Sequence, residues 1–230
     1  MLLQEVPPDE AARRYLETDV QVTADGVLVA FHDNDLSRTT GRVGRISDLP
    51  WAQVSEARVD GREPIPLLED LLGSFPDARL NIDCKTDEAV EALVATLCRT
   101  DSLRRVCVGA FSTSRLRRLR SLLGPELCTS LGPGEVVRWL LHSRAPIPGL
   151  MPSAPCAQVP VAMKGIRVVT ERTVERAHEA GMAVHVWTID DADEMHRLLD
   201  LGVDGIMTDR PSVLLDVLRS RNLWQPKTAF

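Results

Sequence analysis

The sequence predicts an α/β protein of the TIM (β/α)8-barrel type, lacking the first strand and most of the first helix. Three observations predict it. Short β-branched runs alternate with amphipathic helical patterns over most of the 230 residues, and such alternation with short connections builds a mainly parallel sheet. Only one pair of strand-like runs is joined by a hairpin signal. Setting aside the second arm of that hairpin leaves seven parallel strands, one fewer than the barrel needs.

Tyr15 to Val22 reads as the first strand. Val27 to Phe31 folds back antiparallel on it, because Asp25-Gly26 between them is the strongest short hairpin signal. Asn34 to Leu67 carries Gly41, Gly44, Gly61, Pro50, Pro64 and Pro66 with little periodicity, and a loop that long inside a domain is usually functional. Ala78 to Lys85 is the next strand. Thr86 to Arg99 follows as a helix, with Ala89, Val90, Leu93, Val94 and Leu97 on one face and acids in its first turn. Arg105 to Ser112, Glu126 to Leu131, Ala157 to Val161, Ala183 to Ile189 and Val203 to Thr208 complete the strands. Ser114 to Leu123, Thr170 to Ala180 and Ala192 to Leu201 read as helices. A shorter helical piece at Glu135 to His142 lies within the Gly/Pro-rich segment Gly132 to Pro155. Gly181 and Gly202 stand where a glycine ends a helix. No repeat or linker divides the chain, so residues 1–230 are read as one domain.

Composition narrows the function classes. A net charge of -6 argues against sequence-independent nucleic-acid binding, which needs clustered cations. The run Arg115-Leu116-Arg117-Arg118-Leu119-Arg120 reads as the solvated face of an amphipathic helix. No apolar stretch is long enough to span a bilayer. Met1 to Pro8 lacks the basic and apolar regions of a signal peptide, so the expected location is cytoplasmic. Five scattered cysteines with no CxxC pair fit reduced, buried thiols. Of the 27 cationic residues, only Lys85, Lys164 and Lys227 are lysine, which makes a lysine inside an apolar strand conspicuous.

The strand ends carry polar residues. Glu17 and Asp19, two apart, share one side of a strand. Paired carboxylates repel unless a cation, proton or arginine compensates, so the pair is either a hard-cation site or a solvated face. Asp83 and Lys85 repeat the spacing at the end of an otherwise apolar strand. They form either a structural ion pair or a third metal carboxylate beside a cation for phosphate. His32 leaves an apolar strand into a loop, well placed for proton transfer near neutral pH, although a lone histidine is more often structural. His142, His178, His185 and His196 are weaker candidates. Trp187 either walls a pocket or fills the core.

The order Glu17-Thr18-Asp19, Asp25-Gly26, His32-Asp33, Leu36-Ser37-Arg38-Thr39-Thr40-Gly41, Pro64-Ile65-Pro66-Leu67-Leu68-Glu69, Ile82-Asp83-Cys84-Lys85, Val186-Trp187-Thr188 and Gly202 to Asp209 closely resembles the glycerophosphodiester phosphodiesterase family, from about Ala11 to Leu218. The resemblance implies a (β/α)8 barrel that hydrolyses glycerophosphodiesters to sn-glycerol 3-phosphate and an alcohol. It implies that Glu17, Asp19 and Asp83 bind a divalent cation, Mg²⁺ or Ca²⁺. Asp83 stands where the family usually has Glu, one methylene longer. It implies further that His32 is one of two catalytic histidines, that Lys85 lies near the phosphate, and that Phe111 and Trp187 line the substrate pocket. The partner expected is a small-molecule glycerophosphodiester, with no nucleic acid.

The family opens on a strand ending in His-Arg-Gly, and no histidine precedes His32 here. Met1 to Val6 cannot stand in, since a parallel crossover to Tyr15 needs about a dozen residues. The expectation is therefore an open barrel with its first and last strands exposed as edges, and weak turnover or none by the chain as written. Three readings follow: an enzyme, a relic that only binds phosphodiesters or a partner, or a start codon placed too late.

Overall fold

The computed structural model describes residues 15–224; Met1 to Val6 lies outside them. Residues 15–129 and 130–224 form two compact units.

In the first unit, β1 (Tyr15–Val22) turns through Gly26 into β2 (Leu28–Ala30), pairing antiparallel with Val22 opposite Leu28. Gly26 has φ 84°, a left-handed conformation that glycine adopts without steric cost. The segment beyond, expected to be irregular, holds two one-turn helices, α1 (Ser37–Thr40) and α2 (Trp51–Val54), and a small ribbon of β3 (Arg58–Val59) with β4 (Glu63–Pro64). Its own core of Val29, Phe31, Leu36, Ile46, Val54, Ala57 and Ile65 gives that long loop a fixed shape. An unforeseen helix, α3 (Leu68–Ser74), buries Leu68, Leu71 and Leu72. Then come β5 (Arg79–Cys84), α4 (Ala89–Arg99), β6 (Val106–Gly109), α5 (Thr113–Leu123) and β7 (Cys128–Thr129). The sheet order is β2-β1-β5-β6-β7, parallel except for β2.

Period-two alternation divides this sheet into two faces. Val20, Val22, Leu80, Ile82, Cys84, Val106 and Val108 enter the core beneath α4 and α5, with Leu93, Leu97, Leu116 and Leu119. The opposite face carries Glu17, Asp19 and Gln21 on β1 and Asn81 and Asp83 on β5. Register matches them: Glu17 pairs with Asn81, and Asp19 with Asp83.

The second unit contains α6 (Pro133–Arg144), β8 (Cys156–Val159), a hairpin of β9 (Ala162–Met163) with β10 (Ile166–Arg167), α7 (Glu171–Glu179), β11 (Ala183–Val186), α8 (Ala192–Asp200), β12 (Gly205–Ile206) and α9 (Pro211–Ser220). Strands β8, β11 and β12 are parallel, in the order β12-β11-β8. α6 is longer than expected because Pro133 opens it and the Glu135 carboxylate accepts from the Gly132 N–H at 2.8 Å. α9, unforeseen, begins on Pro211 and buries Val217. Gly181 and Gly202 end α7 and α8 at φ 71° and 85°.

Most strands are shorter than their apolar runs. Arg105 to Ser112 shrinks to Val106–Gly109 and Glu126 to Leu131 to Cys128–Thr129, since a ladder lasts only as long as its neighbour. Cys98 is exposed, against the expectation of buried thiols. No helix of the described residues is long and apolar enough to cross a membrane.

Candidate active site

The polar face of the first unit carries Glu17, Asp19 and Asp83 close to Lys85, and Phe111 lies beside Lys85. Asp19 and Asp83 meet through Lys85, whose Nζ lies 2.6 Å from Asp19 Oδ1 and 2.8 Å from Asp83 Oδ2. The ion pair weighed as one reading of Asp83 and Lys85 is thus present, and it takes in Asp19 as well. Burial opposes the charge on Lys85, but hydrogen bonds to the two aspartates outweigh it and hold its pKa above the usual lysine value. Glu17 has no such partner. Burial first, then the charges of Asp19 and Asp83, push its carboxyl up to about 7, with Lys85 pulling the other way.

These acids fit a hard divalent cation. Three carboxylates share one lysine, so the cluster carries surplus negative charge when ionised. Asp83 Oδ1 is buried with no hydrogen-bond partner, an arrangement that costs free energy unless something meets it. All the donors are carboxylate oxygens, the set Mg²⁺ and Ca²⁺ prefer.

His32 ends the second arm of the hairpin. The antiparallel register runs one step beyond β2, where the Phe31 N–H donates to the Asp19 carbonyl at 2.9 Å, and His32 follows at the end of that arm. Gln21 fixes this turn: its buried amide donates to the His32 carbonyl at 3.2 Å and to Asn34 Oδ1 at 2.9 Å. Sequence reasoning missed Gln21, although the spacing Glu17, Asp19, Gln21 marks it. Phe111, 67% exposed, stands just beyond β6, with Lys85 Nζ 5.8 Å from its ring centroid. Trp187 follows β11 in the second unit and is half-buried. The other histidines in the second unit include His178, bound at Nε2 to Asp204 2.9 Å away, and His142, with Nδ1 3.1 Å from the Ile147 carbonyl.

The basic run on α5 is not uniformly solvated. Arg115 turns inward, its Nη1 donating to the carbonyls of Cys84 and Lys85 at 2.8 and 2.9 Å and its Nε to Asp87 at 2.7 Å. It braces the chain where β5 delivers Asp83 and Lys85. Arg115→Gln should leave both carbonyls poorly satisfied and cost about 1–3 kcal/mol. The urea midpoint should fall accordingly. Arg115→Lys should recover only part of the loss, since an ammonium cannot reproduce the guanidinium fork. An unchanged midpoint for the glutamine variant would refute the brace.

The sequence model of the "Glycerophosphoryl diester phosphodiesterase family" matches residues 10–213. The chain is 43% identical over 222 residues to "Probable glycerophosphodiester phosphodiesterase 2" of Mycobacterium tuberculosis, covering 94% of this chain and 84% of that protein. Its fold is similar to the glycerophosphoryl diester phosphodiesterase domain of another Mycobacterium tuberculosis protein, at 20% identity and TM-score 0.75 over 90% of this chain and 88% of that one. It is also similar to an Oleispira antarctica phosphodiesterase solved with the product sn-glycerol-3-phosphate, at 23% identity and TM-score 0.73 over 90% and 85%. Structures of this kind are of the TIM-barrel type, as the strand–helix alternation predicted. With a family model spanning most of the sequence and a relative at this level of identity, the chain belongs to the glycerophosphodiester phosphodiesterase family.

Proposed function

We propose that the chain hydrolyses glycerophosphodiesters to sn-glycerol 3-phosphate and an alcohol, as one domain, in the cytoplasm and with a divalent cation. The observation that carries this reading is the carboxylate cluster: Glu17, Asp19 and Asp83 around Lys85, with one buried oxygen left over. Glu17, Asp19 and Asp83 would hold the cation. When bound, a cation of this kind offsets charge on the phosphoryl oxygens and activates an attacking oxygen. Lys85 directs its charge at the phosphate, and His32 moves a proton to or from the reacting oxygens. Phe111, exposed beside Lys85, offers an apolar wall for the glycerol or alcohol group. Family membership across residues 10–213 supports the one-domain reading, and a relative solved with sn-glycerol-3-phosphate supports the substrate class.

A second reading, phosphodiester binding without turnover, is favoured by one observation. His32 is the sole histidine among the described residues of the first unit, where the family resemblance implies two.

One assay separates the readings: release of sn-glycerol 3-phosphate from glycerophosphocholine, before and after chelation. Turnover that disappears with chelator and returns with Mg²⁺ or Ca²⁺ is the result expected of the enzyme. Saturable binding of glycerophosphocholine without release of product would favour the second reading, and turnover indifferent to chelator would overturn the cation's role.

A further inference from the structure

The Arg-Thr-Thr-Gly string that follows His32 has a geometry the reaction as proposed leaves unused. Asp33 lies against its neighbour His32, with Oδ1 2.6 Å from Nδ1. Arg38 grips the same carboxylate with two donors, Nε to Oδ2 at 2.5 Å and Nη2 to Oδ1 at 2.9 Å. This is the bidentate fork that a guanidinium makes and an ammonium cannot. The hydrogen bond from Arg38, reinforced by that from His32, holds the Asp33 carboxyl down to about 2, so it accepts hydrogen bonds at any working pH.

The loop that carries this array is itself built. Leu36 is buried and packs into the local core. Asp35 Oδ1 accepts from the Ser37 N–H at 2.8 Å, and Thr40 Oγ1 donates to the Leu36 carbonyl at 2.7 Å. Gly41 closes the turn at φ 69°, its N–H donating to the Ser37 carbonyl. A side chain there would strain the backbone that aims Arg38.

We propose that Arg38 is a positioning residue, which locks Asp33 against His32 Nδ1 and so leaves Nε2 as the nitrogen that exchanges a proton with the substrate. The inference rests on His32 being the proton-transfer group. In a neutral imidazole one nitrogen donates and the other accepts, and the hydrogen bond at one decides which atom works at the other. An ionised Asp33 can only accept, so the Nδ1 proton stays in place and the Nε2 lone pair is free. With Arg38 removed, Asp33 can rotate into water and the tautomer is no longer imposed.

The test uses the full chain and two readouts. Side-chain ¹⁵N NMR of the neutral His32 ring should show Nδ1 protonated in the wild type and a mixed or Nε2-protonated ring in Arg38→Gln. In the glycerophosphocholine assay, Arg38→Gln should lower kcat by about 10–100-fold with KM nearly unchanged, the size of loss typical when a partner behind a working histidine is removed. Arg38→Lys should recover only part of it. Asp33→Asn combined with Arg38→Gln should lose little beyond Asp33→Asn alone. A wild-type ring protonated on Nε2, or an Arg38→Gln enzyme with full kcat, would overturn the proposal. Full activity in His32→Ala would instead overturn the proton-transfer reading beneath it. The NMR readout stands even for a chain that binds without turnover.

Discussion

Lys85→Met should destabilise the protein by about 3 kcal/mol, because removing one partner from a buried ion pair strands the other. Here it strands two: Asp19 and Asp83 both bond to Lys85 Nζ, and side-chain exposures are 20% for Lys85, 10% for Asp19 and 12% for Asp83. Methionine keeps the length and bulk of the chain, so the loss reports the charge and its hydrogen bonds rather than a cavity. Glu17 adds to the strain, since it is crowded by the same acids even with the lysine present. A divalent cation that binds the folded cluster stabilises by mass action, so millimolar Mg²⁺ or Ca²⁺ should raise the thermal midpoint of Lys85→Met more than that of the wild type. Turnover should fall by about 10²–10³, the usual cost of removing a charge aimed at a transition-state oxygen. A variant as stable as the wild type without added cation would show that Lys85 does not compensate these acids.

The site was legible because its carboxylates obey the strand period. Leu80, Ile82 and Cys84 alternate with Asn81 and Asp83, so burial of the first set fixes the direction of the second. The same rule sets Glu17 and Asp19 opposite Val20 and Val22. Asp25-Gly26 marked the antiparallel return of β2 along β1, one of three antiparallel strand pairings among the described residues. What stayed hidden depended on partners far along the chain. Among the arginines of α5, nothing local distinguishes the one that turns inward. Only the fold shows that Ser112, accepting from the Arg115 N–H as the helix cap, sets Arg115 beside the end of β5. α3 spans seven residues, too few for helical periodicity to stand out, and it follows directly on a proline-rich loop. Gln21 reads as an unremarkable polar strand residue until the turn it clamps is in view. The ends of the strands were overdrawn for a similar reason: an apolar run marks burial, whereas a strand also needs a neighbour of matching length.

His32→Ala should lower kcat on glycerophosphocholine by about 10²–10⁴, the usual contribution of a positioned acid or base, while leaving the fold intact. The His32 side chain is 56% exposed, so its removal opens no cavity. The turn beneath it is held through backbone and neighbours, by Gln21 on the His32 carbonyl and by the Phe31 N–H on the Asp19 carbonyl. Asp33 keeps its two bonds from Arg38. Thermal midpoint and circular dichroism should therefore match the wild type, and KM should stay close if, as proposed, Lys85 and the carboxylate cluster supply the substrate affinity. Such a fall in kcat alone is the signature of a group that acts in the transition state and adds little to ground-state binding. A glutamine in place of His32 preserves polarity and some hydrogen bonding but cannot exchange a proton, so His32→Gln should be as impaired as His32→Ala. Recovery of activity by glutamine would assign His32 to binding, and retention of full kcat by alanine would remove it from the reaction altogether.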